Sequence, residues 1–137
     1  MTSVLVVHHD VDLADVEVDE LRRAGYTVEQ CSGPTAGPCP VYRRLPCWMA
    51  ERADVLVYDV WAAGDDGRAL IEDLREQYPD KPVVLTTLGM EPDWVVDEGV
   101  HGVTVMSGAP TQKRLVEAIE IALAGRTTMP PAPPTVA

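Results

Sequence analysis

Two histidines and an aspartate, His8, His9 and Asp10, follow directly on the apolar run Val4-Leu5-Val6-Val7, and the run Val55-Leu56-Val57-Tyr58 ends in Asp59. A further apolar run closes on Thr86 and Thr87, and three cysteines, Cys31, Cys39 and Cys47, recur every eight residues. Carboxylate and hydroxyl oxygens suit hard cations such as Mg²⁺, imidazole suits zinc, copper or nickel, and thiolates suit soft metals or redox exchange. The candidate chemistry is therefore metal binding at the histidine–aspartate cluster, chemistry on the Asp59 carboxylate, or redox chemistry at the cysteines.

Each reading has a plainer rival. Neighbouring residues at a strand end point to opposite faces, so His8 and His9 do not readily share one ion; the alternative is a polar cleft whose charge responds to pH. His101 stands in a loop and adds little. For Asp59 the alternative is a hydrogen-bonded carboxylate that ties down the loop reaching Gly67. The cysteines lack C-x-x-C spacing, and zinc or an iron–sulfur cluster would need a further ligand from elsewhere; their plainer role is that of small buried apolar residues. Trp61 closely follows Asp59 and is placed to cover the cleft or meet a partner, whereas Trp48 and Trp94 read as core packing. No nucleophile and base occur at a recognisable spacing, so no catalysis is assigned.

The elements that must position these residues alternate regularly. Val4–Val7 is a short β-branched run of the kind buried on both faces of a parallel sheet. The segment 12–24 places Ala14, Val18 and Leu21 at helical spacing, with acids early, Arg22-Arg23 late and Gly25 after it. Residues 26–30 read as a more exposed strand. The segment 31–50 is interrupted by Gly33, Pro34, Gly37, Pro38, Pro40 and Pro46, so any helix there is short or distorted. Asp54–Asp59 is a buried strand, followed by a Gly/Asp turn and a helix with Leu70, Leu74 and Tyr78 on its inner face. Strands at 82–87 and 103–106 and helices at 91–98 and 111–124, the last with Leu115, Ile119 and Leu123 inward, complete five alternations. Such units imply parallel strands, right-handed crossovers and helices on both sides of an open sheet.

The 137 residues suit one domain, read as 1–126, with a proline-rich tail over 127–137. A formal net charge of -11 repels a phosphate backbone, so nucleic acid is not an expected partner. No charged start followed by an apolar run precedes Val4, and no apolar stretch approaches the roughly 20 residues that cross a bilayer. A cytoplasmic chain without membrane contact is expected.

Val4–Asp10 resembles the opening strand of the receiver domains of two-component response regulators. Asp59-Val60 with Gly64, Asp66 and Gly67 resembles their phosphoacceptor loop, and Thr86-Thr87 falls where they carry a switch hydroxyl. The resemblance covers residues 3 to about 124. It implies a flavodoxin-like three-layer α/β/α fold with a five-stranded parallel sheet in the order 2-1-3-4-5. It also implies a ligand cleft beyond the carboxyl ends of the strands, where His8, His9, Asp10, Asp59, Trp61, Thr86 and Met106 should meet.

The same resemblance marks departures. Family members that accept phosphate hold Mg²⁺ with the phosphoacceptor and two acids after the first strand, and this chain has His8 and His9 there. Imidazole is a poor partner for Mg²⁺, so the ion is disfavoured; any metal would fall to Asp10 and Asp59. Met106 stands where the family has a phosphoryl-binding lysine, Ser107 where it has proline, Val103 where an aromatic switch is common, and Ala63 where proline is usual. The expectation is an atypical, stand-alone receiver acting through a protein partner, a kinase or an output protein, or through a homodimer on its fourth-helix and fifth-strand face. Two alternatives stay open: a small-molecule, metal or redox sensor, and a slow phosphoacceptor at Asp59.

Overall fold

The computed structural model describes residues 2–8, 10–31, 47–60, 67–87 and 103–125, with residues 67–70 described by backbone only. His9, Cys39, Trp61, Ala63, Gly64, Asp66, Trp94, His101, the expected helix at 91–98 and the tail 127–137 lie outside these residues, as does most of the segment 31–50.

Five strands form one parallel sheet: β1 Ser3–Val7, β2 Thr27–Cys31, β3 Val55–Asp59, β4 Val83–Thr87 and β5 Thr104–Ser107. Their order is β2-β1-β3-β4-β5, as expected for the flavodoxin-like arrangement. The described helices are α1 Val11–Arg23, α2 Trp48–Arg52, α3 Gly67–Gln77 and α4 Gln112–Leu123.

Alternation along the strands divides the core in two. Leu5, Val7, Leu56, Tyr58 and Leu85 pack on one face with Ala50 of α2 and Ile71 and Leu74 of α3. Val4, Val6, Val55, Val57, Val84 and Met106 pack on the other with Val18 and Leu21 of α1 and Leu115, Ala118 and Ile119 of α4. Because both faces are covered, every residue of β3 and β4 is buried, which is why their sequences read as unbroken apolar runs.

Three local devices fix the helices around the strand ends. Asp10 caps α1, its carboxylate accepting from the backbone N–H groups of Asp12 at 3.0 Å and Leu13 at 3.2 Å. At the other end of α1, Gly25 takes φ 99° and the N–H groups of Gly25 and Tyr26 donate to the carbonyls of Arg22 and Leu21. That is the left-handed glycine stop that a side chain with a Cβ would strain. Thr111 caps α4 by accepting from Arg114 N–H at 3.3 Å.

α2 is a single short turn, in keeping with its proline-rich approach, and is fastened from outside. The Tyr78 hydroxyl accepts from Cys47 N–H at 2.9 Å. The Lys81 ammonium donates to the carbonyls of Glu51 and Ala53, where the helix dipole favours a cation.

Three expectations about packing change. Trp48 is 70% exposed rather than part of the core, because it opens the one-turn α2. Leu123 is also exposed, and the last turn of α4 is buried through Ile121 and Ala122 instead. Met106 does not line an open cleft; it is fully buried on the α1 and α4 side of the sheet, where an uncharged thioether packs as an apolar residue.

Candidate functional site

Strand register builds the site. Asp59 pairs with Thr86, and Thr86 pairs with Met106, along the carboxyl ends of β3, β4 and β5. β1 lies beside β3 with Val6 opposite Val57 and Val7 opposite Tyr58, so His8 is the next residue in line with Asp59. His8, Asp59, Thr86 and Met106 thus form one transverse row, two residues beyond the buried row of Val6, Val57, Val84 and Thr104, and face the same side. All four are buried.

The row brings together four of the residues singled out in the sequence and places Asp10 differently. Asp10 Oδ1 caps α1, and the backbone N–H of Asp10 donates to His8 Nδ1 at 2.9 Å. That bond identifies Nδ1 as the lone-pair nitrogen of a neutral imidazole and puts the ring proton on Nε2. His8 Nδ1 also lies 3.9 Å from Asp59 Oδ2, near enough for the charge on one group to be felt by the other.

On the far side of the ring lies a residue that sequence reasoning missed. Glu17 of α1 is 1% exposed, and its Oε2 is 3.5 Å from His8 Nε2. Among the described residues neither oxygen of Glu17 has a hydrogen-bond donor. Burial, and secondarily the Asp59 carboxylate, push its carboxyl from the ordinary 4.5 up to about 8. The signal was available: Glu17 stands three residues after Ala14 and four before Leu21, inside the apolar stripe of α1 rather than on its solvated face.

These donors do not fit Mg²⁺. The ion prefers oxygen ligands near octahedral geometry. Asp10 Oδ1 accepts from two N–H groups at the start of α1, and the imidazole of His8 lies beside the Asp59 carboxylate. No group of three or more His, Cys, Asp or Glu residues able to hold a metal occurs among the described residues.

The two described cysteines are half-buried and free. Cys31 and Cys47 both pack against the apolar cluster on the α2 and α3 side of the sheet, the face opposite Asp59.

No family model matches the chain, and no curated protein matches it. Solved structures do. A response regulator receiver domain protein from Clostridium thermocellum superposes with a TM-score of 0.73 at 19% identity, over 90% of this chain and 95% of that one. This chain has the receiver-domain fold. The chemotaxis protein CheY4 of Vibrio cholerae superposes with a TM-score of 0.68 at 21% identity, over 89% of this chain and 98% of that one. A response regulator from Burkholderia pseudomallei, solved with a phosphorylated aspartic acid, a calcium ion and citrate, gives a TM-score of 0.64 at 23% identity, over 90% and 66%. In the receiver fold of this chain, the carboxyl ends of β1, β3, β4 and β5 carry His8, Asp59, Thr86 and Met106.

Proposed function

We propose that the chain is an atypical receiver module in signal transduction that acts by binding other proteins and does so without Mg²⁺-dependent phosphorylation of Asp59. The observation that carries this reading is the row at the strand ends. Asp59 and Thr86 are retained there, His8 lies where a metal-binding acid is expected, and Met106 is buried where a phosphoryl-binding lysine is expected.

Phosphoryl transfer to a carboxylate is catalysed mostly by positioning and by cations that offset charge on the equatorial oxygens. A neutral imidazole and a thioether supply none. The domain is assigned residues 1–126, Asp59 is the phosphoacceptor equivalent, and no enzymatic activity is assigned. The receiver fold supports reading the partner as a protein. Among the described residues no helix is long and apolar enough to cross a membrane.

The test is intact-protein mass after incubation with a small acyl phosphate and Mg²⁺, with Asp59→Asn as control. No gain of a phosphoryl group is expected. A gain that Asp59→Asn abolishes would restore phosphorylation as the switch.

A further inference from the structure

Two carboxyl groups and one imidazole are buried together at the strand ends, with Glu17 and Asp59 on opposite sides of His8. The imidazole cannot serve both as an imidazolium without rearrangement, because its Nδ1 already accepts the Asp10 N–H at 2.9 Å. A proton added there would oppose that donor. The least costly arrangement is a neutral His8 and a Glu17 that keeps its own proton, since among the described residues no hydrogen-bond donor reaches either Glu17 oxygen.

We propose that Glu17, His8 and Asp59 form a proton-operated latch holding α1 against the carboxyl ends of the strands, closed while Glu17 is a neutral acid and loosened when it gives its proton to solvent. The step is the ionisation of one carboxylic acid, the O–H bond breaking and water taking the proton. It leaves two carboxylates around one imidazole. Glu17 is carried by α1 whereas Asp59 ends β3 and His8 follows β1, so relief comes from moving α1 outward until Glu17 reaches water. The raised affinity of Glu17 for its proton is in keeping with this.

Charged groups described on α1 and on the helix packed against it have partners of their own. On α1, Asp10 caps the helix and Glu20 pairs with Arg23 at 3.6 Å. On α4, which packs against α1, Arg114 pairs with Glu117 at 3.9 Å. Thr86 and Met106 from β4 and β5 do not titrate in this range. Asp59 supplies the charge that weighs on Glu17. The latch is a property of the unphosphorylated chain and does not depend on whether Asp59 is able to accept a phosphoryl group.

The experiment is a pH titration of the full chain by NMR, following the Glu17 side-chain carboxyl carbon and the amide-exchange protection of α1 relative to β3. The Glu17 carbon is expected to titrate well above the ordinary carboxylate range. Protection of α1 should fall as pH rises from about 4.5 towards about 8 and level off above that, by up to about tenfold per pH unit for one linked proton after correction for intrinsic exchange. In Glu17→Gln, a neutral isostere, α1 protection should be independent of pH over that range. A Glu17 carbon titrating with the surface carboxylates would overturn the proposal, and so would the same loss of α1 protection in Glu17→Gln.

Discussion

Glu17 shows how one buried proton makes stability depend on pH. Its carboxyl is raised from 4.5 to about 8 in the folded chain, so between those values the folded state holds a proton that the unfolded state releases. The stabilising contribution is complete below about pH 4.5, shrinks as pH rises through the window, and levels off above about pH 8. The slope for one proton is at most about 1.4 kcal/mol per pH unit. Urea unfolding across this window should therefore show Glu17→Gln gaining on the unmodified chain as pH rises. A constant difference between the two would mean that Glu17 ionises normally. At this scale Asp59, Thr86 and His8 were legible because each ends an apolar strand run. The partner of His8 was not, because a glutamate in an acid-rich helix reads as solvated unless its spacing from Ala14 and Leu21 is counted.

At the scale of the element, α1 is both the sheet's cover and the carrier of Glu17, and its start is fixed by Asp10. Asp10→Ala removes the acceptor for two N–H groups and should cost about 1 kcal/mol of stability, read by chemical denaturation. The loss should be the same with and without Mg²⁺. A loss that appears only when Mg²⁺ is present would make Asp10 a metal ligand instead of a cap. The strands and long helices were readable from periodicity, with bounds moved by only a residue or two: α1 runs Val11–Arg23 and α4 runs Gln112–Leu123. What periodicity did not convey was the exposure of Trp48. Nothing local distinguishes a tryptophan on a one-turn helix from one in a core, and the turn's support from Tyr78 and Lys81 comes from residues about thirty positions away.

At the scale of the whole molecule, parallel strands with both faces covered make an open sheet whose carboxyl edge collects one residue from each of four strands. The strand order was foreseen through the family resemblance; alternation of strands and helices alone supplies the parallel sheet but not the sequence of its strands. The burial of Met106 was not foreseen, because the resemblance maps a position onto a cleft while side-chain chemistry decides whether that position faces water or the core. The net charge of -11 also shapes any test of cation binding, since an acidic surface gathers divalent ions without a site. The control is a comparison at matched ionic strength.

The claim on which the account rests is that the Asp59 cleft is filled from within by His8 and does not take a divalent cation. Its most direct measurement is the thermal unfolding of the full chain in about 10 mM MgCl₂ against NaCl of equal ionic strength, with Asp59→Asn alongside. A site of about 0.1 mM affinity would add about 2.7 kcal/mol at that excess and raise the midpoint by several degrees. The expected result is no difference between the two salts in either protein. A rise in Mg²⁺ that disappears in Asp59→Asn would contradict the account and return the cleft to metal-assisted chemistry.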